Sequence, residues 1–305
     1  MDNLNVEISK NTKSFRHNWI LYVIISLSVL FIFISFFVFT PNRNEDVVIH
    51  ISPKDSLIKI SNDLKEKQVI RHPFLLKVFV RVLSGDKKIA KGDYLFKKGE
   101  NLFGVVLQIV KGNHKVNPIK ITLREGINKE EMAKILADKI KGFDKDLFLK
   151  DERSKEGYLF PDTYFFYSLS TTDEILNEIN ADFTKRLESI KSEIETSGKS
   201  LDDIIIMASI LEKEASGKED IGVISGILWK RIKLGMPLQV DVAPKTYDEA
   251  GLPKTPIGNP GLVAIKAALN PLASPYLFYL HDDTGQVHYA VDFSEHRSNI
   301  ARYLK

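Results

Sequence analysis

Two carboxylates, Glu212 and Glu214, close an apolar run, Ile204-Ile-Ile-Met-Ala-Ser-Ile-Leu-Glu-Lys-Glu-Ala-Ser-Gly217. The first half of this run is apolar on nearly every side, the pattern of a helix buried in a domain core. Met207, Ile210, Leu211 and Glu214 fall at i, i+3, i+4 and i+7, so Glu214 prolongs an apolar stripe. Glu212 lies on another line, with Ile205, Ala208 and Ser209. A carboxyl group held against apolar surface has its charged form disfavoured and keeps its proton to higher pH. Such a group can act as a general acid near neutrality. The alternative is a helix that simply ends in solvated charges, with Ser216-Gly217 as its stop.

Other chemistries find less support. The 305 residues contain no cysteine, which excludes disulfides, thiolate metal sites and thiol nucleophiles. The seven histidines show no metal-binding spacing, and no metal or cofactor is expected. A net charge of +3 suits an anionic surface but does not argue for nucleic acid. The composition is 44% hydrophobic and 27% charged, which is that of a globular chain with room for two domains.

The elements around the carboxylates follow in chain order. Residues 1–18 are polar, carry Lys10, Lys13 and Arg16, and read as a cytoplasmic tail. Residues 19–41 hold no charge and are rich in Ile, Leu, Val and Phe. About 20 such residues cross a bilayer, so an uncleaved transmembrane helix is expected here, with the rest of the chain outside. A cleaved signal peptide would need small residues at a cleavage site, and none follow Phe36-Phe-Val-Phe-Thr-Pro41.

Residues 45–116 read as a small α/β module. It has a strand at Val47–Ile51, helices at Leu57–Leu64, Phe74–Leu83 and Leu102–Val110, and a short strand at Gly92–Phe96. Residues 117–305 form the second region. Ile119–Leu123 alternates as a half-buried strand does, and Asn128 is placed to cap the helix that follows. This strand–turn–helix unit faintly repeats the one at Val47–Leu64.

Glu156-Gly-Tyr-Leu-Phe-Pro-Asp-Thr-Tyr-Phe-Phe-Tyr167 is dense in aromatics. It reads either as a core strand with a turn or as an aromatic wall beside a groove. Thr172–Ile190 is amphipathic. Ser200 with Asp203 forms a capping pair ahead of the helix that carries the glutamates. Leu238–Val242 reads as a strand. Thr246–Gly261, rich in Pro, Gly and Asn, reads as a site-shaping loop. Leu262–Leu269 makes a short helix, Tyr276–Leu280 and His288–Asp292 a hairpin, and Ser294–Leu304 a last helix.

In combination these motifs resemble the endolytic murein transglycosylase family (YceG-like, MltG). The residues that carry the resemblance are the N-terminal apolar segment, Glu156–Tyr164, Ala208-Ser-Ile-Leu-Glu-Lys-Glu-Ala215 and Gly235-Met-Pro-Leu-Gln-Val-Asp241. Gly251-Leu-Pro, Asn259-Pro-Gly261, Ala264–Pro271 and Tyr276-Leu-Phe-Tyr279 continue it in family order. The resemblance implies an α+β chain with a single N-terminal transmembrane helix, a LysM-like module at 45–116 and a catalytic domain at 117–305. One departure is a shortened segment, Val242-Ala-Pro-Lys-Thr246, between Asp241 and Tyr247.

The implied enzyme is extracytoplasmic and anchored in the cytoplasmic membrane. It cuts the β-1,4 bond between N-acetylmuramic acid and N-acetylglucosamine within glycan strands and leaves 1,6-anhydro ends. Termination or trimming of nascent strands is the role it suggests, with the cell-wall synthesis machinery as a partner. The resemblance places the catalytic acid in the Glu-Lys-Glu motif; the stripe selects Glu214, with Glu212 in reserve. Gln239, Tyr247 and Asn259 are the candidates for polar support of the substrate. Strand pairing, packing and a turn before Pro260 are their respective alternatives. Two rival functions remain at this point. One is a hydrolytic muramidase using Asp241 or Glu212 as a second carboxylate. The other is a non-catalytic, membrane-tethered wall-binding scaffold.

Overall fold

A computed structural model describes residues 19–32, 43–85, 89–214 and 220–304. The cytoplasmic tail expected at 1–18 lies outside these residues, as does the second half of the expected membrane span. Residues 19–32 are helical and exposed. No helix among the described residues is long and apolar enough to cross a membrane.

The chain divides into two units, Met1–Asn117 and Pro118–Lys305. Both are mixtures of helices with small antiparallel sheets. In the first unit, strands β1 (Val47–Ile51) and β2 (Gly92–Phe96) pair antiparallel, Ile49 opposite Tyr94. Helices α1 (Leu57–Glu66) and α2 (Pro73–Ser84) connect them, and α3 (Leu102–Lys111) follows. Ile51, Leu64, Leu76, Tyr94, Phe96 and Ile109 form the centre of its core. Gly112 ends α3 in the left-handed conformation (φ 63°), which glycine adopts at no steric cost.

The second unit opens with β3 (Ile119–Thr122), paired antiparallel to β4 (Thr163–Phe166). Helix α4 (Lys129–Lys139) starts in a complete capping box between Asn128 and Glu131, and the short α5 (Lys145–Lys150) follows. Helix α6 (Thr172–Glu188) has the same box between Thr171 and Glu174, and α7 (Lys191–Thr196) comes next. The strand–helix repeat noted in the sequence therefore holds for β1–α1 and β3–α4, but the helices after each differ.

Helix α8 (Leu201–Glu214) is the axis of the second unit. Every residue from Ile204 to Leu211 is buried. Burial of each large aliphatic side chain stabilises by about 1.5–3 kcal/mol, so this helix is a major source of the unit's stability. It packs against α10 (Leu262–Leu269) and α9 (Ile221–Lys233). Ala264, Ala267 and Ala268 on α10 let the two backbones come close. The hairpin of β5 (Phe278–His281) and β6 (Val287–Ala290) and the final helix α11 (Phe293–Tyr303) complete the chain.

The aromatic stretch at 156–167 serves the core more than a groove wall. Phe160, Tyr164 and Phe166 are buried, and the Tyr164 hydroxyl donates to the Phe160 carbonyl. Phe165, on the other face of β4, is exposed.

Leu238–Val242 is not a strand. Gln239 has φ 54°, left-handed backbone that interrupts an extended run. The segment is a turn tied to Thr246, whose carbonyl accepts from the Gln239 N–H and whose hydroxyl accepts from the Val240 N–H. Alternation of apolar residues arose here because Leu238 and Val240 pack on α8 while Gln239 is bent outward.

Candidate active site

The last turn of α8 delivers Glu214 from the core to a half-buried position. The start of the helix is fixed by the Ser200 hydroxyl, which accepts from the Asp203 N–H at 3.0 Å. Near its C-terminal end Ser209 is buried with both hydrogen-bonding roles filled. It donates to the Ile206 carbonyl at 2.7 Å and accepts from the Ile257 N–H at 3.1 Å.

Around the Glu214 carboxyl stand groups from two further segments. The Tyr279 hydroxyl donates to Glu214 Oε2 at 3.0 Å. The Val242 backbone N–H faces the same carboxyl, and Asp241 and His281 lie within electrostatic reach. Burial raises the Glu214 pKa. The donors at Tyr279 and Val242 pull it back, and the like charge of Asp241 pushes it further up. Burial, with the Glu214 charge beside it, also holds the Tyr279 phenol well above its ordinary range. Tyr279 is therefore a neutral donor, and the Glu214 carboxyl is shifted toward its protonated form. That is the direction a general acid requires.

Tyr247 belongs to the same cluster. Its hydroxyl donates to Asp241 Oδ1 at 2.5 Å, which raises its own pKa, with a further push from Glu214. Arg231, almost wholly buried, donates through Nε to the Pro237 carbonyl and through Nη2 to Gln239 Oε1 at 2.5 Å. That second bond fixes the exposed Gln239 side chain, and its amide NH₂ makes no bond to a described residue. Glu214 and Tyr247 are thus brought together, and Gln239 is joined to them through Arg231, which lies within electrostatic reach of Tyr247 and Tyr279.

Asn259 is not part of that cluster. It is fully buried and every side-chain hydrogen-bonding position is used. Oδ1 accepts from the N–H groups of Gly157 (2.8 Å) and Leu159 (3.0 Å). Nδ2 donates to the Ile127 carbonyl (3.0 Å) and to Glu156 Oε1 (2.6 Å). With two donors and two acceptor sites filled, no group is left to bind a sugar. The expectation that Asn259 contacts substrate is corrected: it latches the motif at 156–159 to the loop at 257–261. Glu212 is also engaged, accepting from the Gly261 N–H at 2.9 Å.

Tyr279, His281 and Arg231 were not singled out from sequence. Tyr279 and His281 are two apart on β5, and that period puts them on one face of the hairpin. Paired with a nearby glutamate, such an i, i+2 polar face was the available signal. Nothing in the pattern of α9 distinguishes Arg231 from the neighbouring Lys230 and Lys233.

A cavity of about 340 Å³ opens beside this cluster, between the turn at 242–246 and the loop at 249–257. Glu214 does not line it. Val242 does, and so belongs to both the cavity and the surroundings of the carboxyl.

The chain that carries this cluster is similar to proteins of a known family. The YceG-like family model matches residues 49–244 and 245–302, and the chain belongs to that family. Among its relatives is the endolytic murein transglycosylase of Bacillus subtilis, 26% identical over 307 residues, covering 85% of each chain. The endolytic murein transglycosylase of Streptococcus pneumoniae D39 is 28% identical over 177 residues, 49% of this chain and 32% of that one. In structure, the chain is similar to a yceG-like protein from Listeria monocytogenes, with a TM-score of 0.52 and 25% identity. That match covers 84% of this chain and 99% of the other.

Proposed function

We propose that this chain is a membrane-anchored, endolytic lytic transglycosylase of peptidoglycan in which Glu214 is the single proton donor and acceptor. The observation that carries the reading is the half-buried Glu214 carboxyl, its pKa raised, held by Tyr279 and the Val242 N–H. Membership of the YceG-like family and the name its curated relatives bear support murein as the substrate.

In this reading Glu214 gives its proton to the oxygen between N-acetylmuramic acid and N-acetylglucosamine as the bond from that oxygen to C1 breaks. The resulting carboxylate takes the proton of the muramic acid C6 hydroxyl as that oxygen bonds to C1. The product is a 1,6-anhydro end and Glu214 is again protonated. The nucleophile is part of the substrate, so no second carboxylate is needed to activate water. The amide of Gln239 and the hydroxyl of Tyr247 support the charge that develops on the sugar ring.

The uncharged stretch at 19–41, helical over 19–32, supports an anchor in the cytoplasmic membrane. The basic tail at 1–18 is then cytoplasmic and the chain from residue 45 onward lies outside. The first unit, over 45–116, is a LysM-like wall-binding module and 117–305 is the catalytic domain. Such an anchored enzyme is placed to terminate or trim nascent strands beside the cell-wall synthesis machinery.

Mass spectrometry of digested murein tests the chemistry. Anhydro ends released by the wild type, and lost at least a hundredfold in Glu214→Gln, are the expected result. Fragments released by Glu214→Gln at the wild-type rate would reject the assignment. One observation favours a second reading: Asp241, beside Glu214 and bonded by Tyr247, is a second carboxylate of the kind a hydrolytic muramidase uses. Reducing ends in the digest would select it.

A further inference from the structure

The cavity beside the cluster has a composition that does not suit a sugar. Among its lining residues there is no aromatic ring for a pyranose face to stack on. Its walls are aliphatic, from Val242, Ala243, Leu252, Pro253 and Ile257. Its rim carries two ammonium groups, Lys245 and Lys254, and one carboxylate, Glu249. The side chains of these three make no ion pair or hydrogen bond with any described residue. Unpaired charges around a small apolar hollow fit a ligand with carboxylates and short aliphatic side chains.

The hollow is also pre-formed. Ile257 in its wall is bonded through its N–H to Ser209 of α8. Pro256 packs against Gly157, where a Cβ would lie 2.6 Å from the proline ring. A Cβ on Gly258 would lie 2.5 Å from the Gly126 carbonyl. On its other side the cavity is closed by the turn whose Val242 N–H faces Glu214. A ligand here is separated by one residue, Val242, from the Glu214 carboxyl.

We propose that this cavity receives the acidic peptide stem carried by the substrate, with Lys245 and Lys254 holding its carboxylates and the aliphatic walls its alanine side chains. The inference rests on the glycan-cleaving reading above. The stem hangs from the muramic acid whose bond Glu214 breaks. Three extended residues of that stem reach about 10 Å from the sugar. Glu249 is available to the amine of a diamino acid within the stem.

Two measurements test this. In the first, kcat/KM is determined on glycan strands bearing peptide stems and on strands stripped of them by an amidase. The ratio of the two values is compared between wild type and Lys245→Ala/Lys254→Ala. At least a fivefold fall in the ratio is expected; an unchanged ratio overturns the proposal, because the lysines would then serve the glycan or nothing. In the second, the disaccharide bearing a tripeptide and the same disaccharide without it are titrated into the full chain by calorimetry. Tighter binding of the peptide-bearing form, lost in the double variant, is expected; equal binding of both forms overturns the proposal. Where wild type cleaves glycan, the ratio decides. Should it cleave neither strand, the proposed reaction fails and the titration alone decides the pocket.

Discussion

The Tyr279 hydroxyl donates a 3.0 Å hydrogen bond to one oxygen of the Glu214 carboxyl. A donor of this kind stabilises the ionised form and so opposes the burial that raises the Glu214 pKa. Removing it in Tyr279→Phe lets that pKa rise further. In the proposed reaction the rate depends on protonated Glu214, so the alkaline limb of the pH–rate profile is expected to move to higher pH. The lost bond to a charged group is worth about 1.5–3 kcal/mol, which predicts a roughly 10- to 100-fold fall in kcat/KM at the wild-type optimum. A limb that stays put would mean that Tyr279 only packs.

Asp241→Asn acts in the opposite sense. The like charge of Asp241 pushes the Glu214 pKa up, so neutralising it lowers that pKa and moves the alkaline limb to lower pH. In a single-carboxylate mechanism the products remain anhydro-ended and activity below the limb falls modestly, by about tenfold or less. A loss as deep as that of Glu214→Gln would instead make Asp241 an obligatory second carboxylate.

Glu214→Gln bears on stability as well as turnover. The folded-state pKa of Glu214 lies above its unfolded value, so the protonated form favours folding. That contribution is complete below the unfolded value and is lost as pH rises through the folded one. The uncharged glutamine has no such loss. Thermal melts at a series of pH values are expected to show the variant gaining on the wild type above the ordinary carboxylate range. A difference that is flat with pH would contradict the burial of the carboxyl.

Asn259→Ala is expected to fail through folding. It strips partners from the N–H groups of Gly157 and Leu159, the Ile127 carbonyl and Glu156. Each buried group left unsatisfied costs about 1–3 kcal/mol, so a loss of several kcal/mol is predicted by denaturant titration. A stable variant with only a raised KM would restore Asn259 to the substrate.

Much of this architecture was legible in the residues because local chemistry agreed with tertiary demand. Asn128 and Ser200 cap the helices they precede, Gly112 ends α3, and Leu262–Leu269 has the limits its apolar run implies. The half-buried position of Glu214 follows from its place on the stripe of α8. The rest depended on distant partners. Leu238–Val242 alternates like a strand, yet Arg231 and Thr246 draw its polar atoms into a turn. Asn259 before a proline reads as a turn residue, and only the fold brings residues 127 and 156–159 against it. Tyr279 and Arg231 matter through what they meet, 65 and 8 residues away along the chain respectively.

The hydroxyl of Ser209 couples two segments with very different local cohesion. It lies on a helix sealed inside the core and receives the Ile257 amide from a loop otherwise short of regular structure. That amide is held by a hydroxyl whose own helix does not open locally. Its hydrogen exchange should therefore follow global unfolding, while amides elsewhere in the loop exchange through small local openings. At Ile257 the Pro- and Gly-rich loop thereby borrows the cooperativity of the helix that carries Glu214, while the rest of the loop keeps its own.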